Sequence, residues 1–213
     1  MIKYVFFDLD GTIVNSSEGI INAYKTALKH FDIEADEKFI SDFLIGPPLK
    51  LAFIKYFNLD EEKVEEAIKV FRKYYSGKGV NENCLYDGIK ELFENLKSKE
   101  KTLIIATSKP TIFTEKILER HDVKKYFDFI SGATLDDTRI KKGDIIKYAI
   151  ENMNISNLEE CIMVGDKSQD IEGAKQNNMK AIGVTYGFGT KEELETSGAT
   201  YIVDNVKDIN DIL

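Results

Sequence analysis

The stretch that most constrains the fold of this chain is KYVFFDLDGTI, at residues 3–13. Its apolar run at residues 4–7 has no polar alternation, which is typical of a central strand buried on both faces of a parallel sheet. Asp8 and Asp10 follow where this strand is predicted to end, and Gly11 permits a sharp turn. Because side chains alternate along a strand, the two carboxylates start on the same side. In open α/β sheets ligands bind beyond the carboxyl ends of the strands, so chemistry is expected here.

Two aspartates separated by one residue are, on their own, typical of a solvated turn, because Asp and Gly favour turns. Here the pair directly follows a buried run. Like charges this close repel each other, so either a cation or a shared proton is expected at Asp8 and Asp10. If a cation binds, carboxylate and carbonyl oxygens suit Mg²⁺, which often bridges a protein to a phosphate.

Composition argues against several classes of partner. The 213 residues carry a formal net charge of −8 without a basic stripe, which disfavours nucleic acid, since that binding depends on neutralising phosphates. Cys84 and Cys161 are far apart and belong to no CxxC motif, so free thiols in a reducing compartment are expected. No apolar stretch approaches the roughly 20 residues of a membrane helix, and no signal peptide precedes the first strand. We therefore expect a cytoplasmic protein without a membrane partner.

The apolar pattern divides the chain into a helical block and an alternating block. Residues 15 to about 80 show helical periodicity, whereas strands and helices alternate from residue 85 onward. The predicted strands of the second block lie at 101–106, 127–131, 160–165, 180–185 and 200–203. Such alternation predicts an α/β fold with a Rossmann-like doubly wound parallel sheet. The predicted core comprises residues 1–14 and 82–213, and residues 15–81 are inserted as an α-helical cap.

Polar residues also follow other predicted strands at their carboxyl ends, and parallel strands bring those ends to one rim of the sheet. The residues concerned are Thr107, Ser108, Lys109, Lys141, Lys142, Asp166 and Asp170. Each has a simpler explanation by itself: a helix cap for Thr107 and Ser108, a solvated helix start for Lys142, and turn or helix-dipole positions for the later aspartates. However, mutually compatible polar groups follow four strand ends in chain order, and this combination favours a catalytic site over the separate explanations. The lysines expected to be mostly solvated are Lys109, Lys141 and Lys167.

These residue types suit phosphoryl transfer. Asp8 can attack phosphorus as an unprotonated nucleophile, and Asp10 can protonate the leaving alkoxide and then accept a proton from water. The hydroxyl of Thr107, nearby backbone N–H groups and a lysine can stabilise the phosphoryl oxygens. Asp166 is suited to be a further Mg²⁺ ligand. Neither GxGxxG nor GxxxxGK[ST] follows the first strand and no GxSxG occurs, which disfavours dinucleotide, P-loop and serine-hydrolase sites.

This combination resembles the haloacid dehalogenase superfamily, and specifically its phosphoglycolate phosphatase-like members with a helical cap. The resemblance rests on DxDGT at residues 8–12, on Thr107 closing an apolar strand, and on GDxxxD at residues 165–170. The family's third motif, a lone lysine, is assigned to Lys142, because KGDII resembles the family's K-x-D-x-[IL]; Lys141 is the alternative. The sequence Gly187-Phe188-Gly189 also resembles the family's glycine loop.

The resemblance implies specific roles for the four aspartates. Asp8 would be the nucleophile and a Mg²⁺ ligand, forming an aspartyl-phosphate. Asp10 would be the general acid/base, with its backbone carbonyl on the metal. Asp166 would bind Mg²⁺, and Asp170 would hold the ion directly or through water.

The resemblance also implies how the phosphate and the rest of the substrate are held. Thr107 and Lys142 would bind the phosphoryl group, with Ser108 as an additional phosphate ligand. The cap would close over the leaving group, and the loop at residues 46–48 is a candidate substrate contact. The two histidines are expected at helix ends without a catalytic role; they are His30 and His121.

Several activities are compatible with these motifs. The expected reaction is hydrolysis of a small phosphorylated metabolite, with phosphoglycolate as the family-typical substrate and 5'-nucleotides, pyrophosphate or sugar phosphates as alternatives. A β-phosphoglucomutase-like mutase would need a cap residue to relay protons, and no obvious His–Lys pair is present in the cap loops. Asp10 disfavours a dehalogenase, which has no alkoxide to protonate, and the cap disfavours a phospho-acceptor receiver domain. The protein is expected to be a monomer or a homodimer.

Overall fold

A computed structural model describes residues 1–45, 49–136 and 138–213 of the chain, with the side chain of Asp42 left out. Within these residues the strands are β1 (Tyr4–Phe7), β2 (Val14–Asn15), β3 (Cys84–Leu85), β4 (Thr102–Pro110), β5 (Phe129–Ala133), β6 (Cys161–Gly165), β7 (Lys180–Val184) and β8 (Tyr201–Val203). The helices are α1 (Ser17–Lys29), α2 (Glu37–Leu44), α3 (Leu49–Phe57), α4 (Glu61–Gly77), α5 (Ile89–Ser98), α6 (Thr111–Arg120), α7 (Lys142–Asn152), α8 (Ser168–Gln176), α9 (Lys191–Ser197) and α10 (Ile209–Ile212).

Six of the described strands form one parallel sheet in the order β5-β4-β1-β6-β7-β8. β1 lies between β4 and β6, and its residues Val5, Phe6 and Phe7 are fully buried. This position explains the unbroken apolar run, because a central parallel strand is covered on both faces. The chain winds outward in opposite directions from β1, as in a doubly wound sheet. The predicted Rossmann-like α/β fold is confirmed.

The chain divides into two compact units, one comprising Met1–Asn15 with Leu85–Leu213 and the other Ser16–Cys84. The first unit, called the sheet unit below, contains the whole parallel sheet. The second, the helical unit, contains α1 to α4. Over the described part of the chain, no helix has the length and apolar character needed to cross a bilayer.

Consecutive side chains of β1 build the apolar core on the two faces of the sheet. Phe6 belongs to a buried cluster that includes Ile145 of α7 and Ala174 of α8. Phe7 instead meets Phe93 of α5 in an edge-to-face contact with ring centroids 5.4 Å apart. Helices therefore pack on opposite faces of the same strand, which is what fixes β1 in the middle of the molecule's sheet.

Close packing between α7 and α8 brings two parts of the sequence together. A Cβ atom at Gly173 would lie 2.8 Å from Cγ of Lys142 and 3.1 Å from the backbone N of Gly143. Only a residue without a side chain permits this approach, so glycine is required at position 173. The consequence is that the start of α7 and the second turn of α8 lie side by side.

The helical unit has a core of aromatic side chains. Tyr24 of α1 lies between Phe53 of α3 and Phe71 of α4, with ring centroids at 5.4 and 4.9 Å. Asp36 and Asp60 cap α2 and α4, because their carboxylates accept hydrogen bonds from backbone N–H groups three residues later. These contacts account for the helical apolar stripes of the sequence. The predicted substrate contact at residues 46–48 lies outside the described residues.

Three strands differ from the sequence-based expectation. β4 continues to Pro110 rather than ending near residue 106, and its register with β5 shifts between Thr107 and Pro110. The expected polar loop after this strand is thus an irregular extension of the strand. The two-residue strands β2 and β3 pair with each other and were too short to show any alternation.

Candidate active site

Three carboxylates converge at the carboxyl ends of β1 and β6. The two strands are parallel neighbours with Phe7 opposite Val164, and the N–H of Asp8 donates to the carbonyl of Val164 at 2.9 Å. Carboxylate oxygens of Asp8, Asp166 and Asp170 all lie within 4.8 Å of one another, and all three residues are buried. The structure therefore brings together aspartates that are more than 150 residues apart in sequence.

The carboxylate of Asp166 is oriented by two loops. The hydroxyl of Thr12 donates to Oδ1 at 3.3 Å, and the backbone N–H of Phe188 donates to Oδ2 at 2.8 Å. Glycines allow both loops to come this close, because a Cβ at Gly11 or at Gly187 would collide with the Asp166 side chain. Gly11 also has a φ of +80°, which disfavours any other residue. The glycine loop after β7 thus positions a site carboxylate.

Lys142, the first residue of α7, places its ammonium group among the carboxylates. Its Nζ lies 2.8 Å from Oδ1 of Asp8 and 2.8 Å from Oδ1 of Asp170. It also donates a hydrogen bond to the carbonyl of Ala106 at 3.1 Å. Lys142 is buried, whereas Lys141 is exposed. Of the two lysines, Lys142 is therefore the one that reaches the carboxylate cluster.

Asp170 has two contacts, one with a helix end and one with the cluster. Its Oδ2 accepts a hydrogen bond from the backbone N–H of Lys167 at 3.0 Å, which satisfies a donor at the start of α8. Its Oδ1 faces Lys142. The Asp170 carboxylate therefore both caps the start of α8 and belongs to the carboxylate cluster.

Burial and mutual repulsion shift the protonation of these groups. Burial, followed by the charges of Asp170 and Asp8, raises the pKa of Asp166 well above its usual value. Burial also raises the pKa of Asp170 to about 6, although the neighbouring Lys142 opposes this shift. Burial alone would lower the pKa of Lys142, but the Asp170 and Asp8 carboxylates outweigh that effect and raise it. The lysine is therefore cationic at neutral pH.

Thr107 and Ser108 lie on β4, the other neighbour of β1. Thr107 is buried, and its hydroxyl oxygen accepts a hydrogen bond from the backbone N–H of Lys109 at 3.2 Å. The N-cap of α6 is Pro110, without a side-chain hydrogen bond, so neither hydroxyl residue caps that helix. Ser108 is exposed, as expected from strand alternation between two buried neighbours.

Lys109 is a correction to the sequence analysis, which took it for a mostly solvated charge. It is 8% exposed, and its Nζ lies 2.7 Å from Oδ2 of Asp10. The expectation was wrong because it ignored the extended backbone: residues i and i+2 of a strand share a face, so Lys109 follows the buried Thr107 inward. Lys167 is also partly buried, and it donates to the carbonyl of Phe188 at 2.9 Å.

The second oxygen of Asp10 is buried without a hydrogen bond. Among the described residues, no donor pairs with Oδ1 of Asp10, although Oδ2 accepts from Lys109. The side chain of Asp10 does not belong to the cluster formed by Asp8, Asp166 and Asp170. Both histidines contact charged side chains elsewhere: His30 pairs with Glu66 at 2.7 Å, and His121 lies 3.3 Å from Arg120.

The residues present fit a hard divalent cation. The cluster offers carboxylate oxygens from three buried aspartates, and Lys142 supplies a single ammonium group against them. When all three aspartates are ionised, the cluster has excess negative charge in a buried position, which is unfavourable unless a cation neutralises it. All-oxygen ligand sets of this kind suit Mg²⁺ rather than a soft metal.

Comparison with known proteins gives matches over most of the chain. A family model described as haloacid dehalogenase-like hydrolase matches residues 5–184. A 5'-nucleotidase of Pseudomonas aeruginosa is 34% identical over 98% of this chain and 94% of its own length. The tyrosine-protein kinase PtkA of Mycobacterium tuberculosis is 32% identical over 94% of this chain and 68% of its own length. A phosphoglycolate phosphatase of Colwellia psychrerythraea is 30% identical over 97% of this chain and 95% of its own length.

Solved structures show the same fold over the whole chain. The crystal structure of a predicted phosphatase from Clostridium acetobutylicum is 45% identical, with a TM-score of 0.93 over 100% of this chain and 98% of that one. The resemblance drawn from the motifs is therefore confirmed by independent comparison of sequence and of fold.

Proposed function

Because the chain belongs to the haloacid dehalogenase-like hydrolase family, we propose that it is a Mg²⁺-dependent phosphomonoesterase that forms an aspartyl-phosphate on Asp8. The observation that supports this proposal most strongly is the buried cluster of Asp8, Asp166 and Asp170 around the ammonium group of Lys142. A carboxylate nucleophile, a fixed cation and a set of metal-ligand oxygens are the parts that phosphoryl transfer needs.

Asp8 and Asp10 divide the chemistry between them. An oxygen of Asp8 attacks phosphorus, and the bond from phosphorus to the ester oxygen breaks. Asp10 gives its proton to the departing alkoxide and, in the second half of the reaction, accepts a proton from the water that attacks the aspartyl-phosphate. Phosphate and alcohol leave, and both aspartates return to their starting protonation states.

Asp8, Asp166, Asp170 and the backbone carbonyl of Asp10 would hold the metal ion. When bound, Mg²⁺ supplies positive charge that offsets the repulsion between the Asp8 carboxylate and the phosphate. Lys142, which already pairs with Asp8, adds a fixed positive charge beside the nucleophile.

The phosphoryl oxygens are bound by donors at the ends of β4 and α7. Thr107 contributes its hydroxyl and Lys142 its ammonium group, with Ser108 as an additional donor. We assign the helical unit as a cap that closes over the leaving group and excludes water. The enzyme is expected to act in the cytoplasm as a monomer or a homodimer.

Substrate identity is the finer part of the proposal. Phosphoglycolate is the substrate typical of the subfamily that the motifs resemble, and one relative carries that name. The relative named 5'-nucleotidase makes nucleoside monophosphates the second substrate class to test. Both are phosphomonoesters with an alkoxide leaving group, so both require the acid role of Asp10.

A panel of phosphate esters tests the proposal. Purified protein with Mg²⁺ is assayed for phosphate release from phosphoglycolate, 5'-nucleotides, sugar phosphates, pyrophosphate and p-nitrophenyl phosphate, with kcat/KM reported for each. Hydrolysis that is abolished by EDTA and restored by Mg²⁺ is expected. ATP with a tyrosine peptide is a separate arm, because one relative is named a tyrosine-protein kinase. Phosphopeptide formation without release of phosphate from any ester would refute the proposed function.

A further inference from the structure

Lys109 is a buried charged residue to which the proposed mechanism assigns no role. Its Nζ lies 2.7 Å from Oδ2 of Asp10, while Oδ1 of Asp10 is buried without a hydrogen-bond donor among the described residues. We propose that Lys109 is a positioning residue that holds one oxygen of Asp10, so that the other is presented to the leaving group. This inference rests on the proposed function, because it concerns the acid/base of that reaction.

The backbone around Lys109 is fixed on both sides, so its ammonium group projects from a rigid base. Its N–H donates to the hydroxyl of Thr107, within the register shift between β4 and β5. On the β5 side, a Cβ at Gly132 would lie 2.7 Å from the carbonyl oxygen of Lys109. Rigid support of this kind is what a residue needs to hold a catalytic group in one orientation.

The two buried lysines at the site have different carboxylate partners. Lys142 pairs with Asp8 and Asp170, which belong to the nucleophile and metal cluster. Lys109 pairs with Asp10, the acid/base. A lysine that served mainly to bind the phosphate would be expected beside the nucleophile, where Lys142 already lies. The pairing of Lys109 with Asp10 therefore favours positioning over phosphate binding.

Positioning of an acid has a kinetic signature in the leaving group. When the bond from phosphorus to the ester oxygen breaks, an alkoxide must receive the proton of Asp10, whereas a p-nitrophenolate leaves without one. Lys109 keeps its own protons throughout. Loss of Lys109 should therefore slow phosphoenzyme formation from alkyl phosphates more than from aryl phosphates. The later attack of water also uses Asp10 and is the same for both esters, so the release of the leaving group is the step to measure.

The test compares Lys109→Met with wild-type protein on p-nitrophenyl phosphate and on the alkyl phosphate that the wild type hydrolyses best. In single-turnover kinetics with enzyme in excess, we expect the rate of alcohol release from the alkyl ester to fall by about 100-fold in the variant and the rate of p-nitrophenolate release by less than about tenfold, with the half-saturating concentration within about threefold. Lys116→Met, at an exposed position on α6, is the matched control and should leave all values unchanged. An equal fall in the release rate for both esters, or a change confined to the half-saturating concentration, overturns the inference.

A double-mutant cycle isolates the pair. In an Asp10→Asn background, Lys109→Met should lower the rate of alcohol release from the alkyl ester by less than about threefold further, because the carboxylate that Lys109 positions is already absent. A further loss as large as in the wild-type background overturns the inference. If neither ester is hydrolysed by wild-type protein with Mg²⁺, the proposed function fails instead.

A second variant covers the case in which Lys109→Met does not fold, as judged by thermal unfolding. Lys109→Arg keeps a positive charge, but the longer guanidinium must displace the Asp10 carboxylate. Its ratio of alkyl to aryl single-turnover release rates should fall by at least about threefold. An unchanged ratio in the arginine variant contradicts a positioning role.

Discussion

At the scale of single residues, the site assigns different work to two neighbouring aspartates. Asp8 lies in the carboxylate cluster beside Lys142, whereas Asp10 is not a member of that cluster and pairs with Lys109. β1 ends at Phe7, and both aspartates lie in the irregular segment that follows it. Their different partners, rather than their spacing, then distinguish a nucleophile from an acid/base.

Asparagine substitutions test whether Asp8 is the nucleophile and Asp10 the acid/base. Asp8→Asn should abolish turnover, because an amide cannot form the aspartyl-phosphate. Asp10→Asn should lower kcat on alkyl phosphates by about 10²- to 10⁴-fold, the usual effect of removing a general acid/base. Phosphate release and mass spectrometry of acid-quenched enzyme measure the two effects. With p-nitrophenyl phosphate, Asp10→Asn should accumulate phosphoenzyme and Asp8→Asn should not. A phosphorylated Asp8→Asn protein would place the nucleophile elsewhere.

The adjacent lysines Lys141 and Lys142 provide a matched pair for a second test. Lys142→Ala removes the ammonium group from Asp8 and Asp170 and should lower kcat/KM by about 100-fold or more. Lys141→Ala, at an exposed position, should remain within about twofold of wild type. Both are measured as activity per folded protein, because breaking a buried ion pair also destabilises the fold. The reverse order of effects would move the phosphate-binding lysine to position 141.

At this scale a sequence motif indicated which lysine contacts the carboxylates, whereas the burial of a second lysine depended on the geometry of β4. Lys142 could be chosen over Lys141 because the residues after it match a family pattern. Lys109 was missed because β4 was expected to end at residue 106, and a lysine in a loop is usually solvated. The partner of Lys109 is 99 residues away in sequence, and nothing local in the chain indicates that contact.

At the scale of elements, the glycine loop after β7 supports the turn after β1. Gly187 approaches the carbonyl of Gly11 and the side chain of Asp166, while the next N–H, that of Phe188, donates to Asp166. A short loop on one strand thereby orients a carboxylate on the next. The sequence suggested such a loop by its resemblance to a family motif, but not which atom it would contact.

Gly187→Ala tests the contact between these loops. The added Cβ would collide with Gly11 and Asp166, so we expect a loss of about 1–3 kcal/mol in unfolding free energy and about tenfold weaker apparent Mg²⁺ affinity. Gly77→Ala is the control, because a Cβ at that position of α4 meets nothing within 4 Å. Chemical denaturation and Mg²⁺ titration of activity are the measurements. Equal unfolding free energies and equal Mg²⁺ affinities in the two variants would show that the loop accommodates a Cβ atom at position 187.

Element prediction was most reliable where burial is uniform. The run at residues 4–7 indicated a central strand because only such a strand avoids polar residues on both faces. The extent of β4 was not predictable, because its continuation through Thr107-Ser108-Lys109 depends on an irregular pairing with β5. Bulges of this kind are set by the partner strand and not by local propensity.

At the scale of the whole molecule, the order of strands explains why distant motifs meet. Residues 8 and 166 directly follow β1 and β6, and residue 107 lies within β4, towards its carboxyl end. The three strands are adjacent in the order β4-β1-β6, although they are far apart along the chain. Alternation of strands and helices predicted a parallel sheet, and parallel strands end on one rim. The placement of β1 between β4 and β6 could be inferred only through the family resemblance, because strand order depends on long-range packing.

The buried aspartates should make the unfolding free energy of the whole protein depend on pH and on bound metal. Burial raises the pKa of Asp166 and raises that of Asp170 to about 6, both from a usual value of 3.8. For groups whose pKa is raised in the folded state, the stabilising contribution is fully present below the unfolded value and is lost as pH rises through the folded value. The metal-free protein should therefore lose the stability contributed by Asp170 as pH rises from about 4 through about 6. The raised pKa of Asp166 adds a loss in the same direction.

Mg²⁺ should reverse this loss, because it binds the ionised carboxylates and only the folded chain assembles them. At saturating Mg²⁺ we expect a rise in the thermal midpoint of about 5–10 °C near pH 7.5, and less than half of that rise near pH 5, where protons compete for the ligands. Differential scanning calorimetry with EDTA or Mg²⁺ at both pH values measures the effect. Asp170→Asn should remove most of the Mg²⁺ shift at the higher pH, since it deletes a ligand together with its titration. A shift of equal size at both pH values would mean that the ion binds outside the buried cluster.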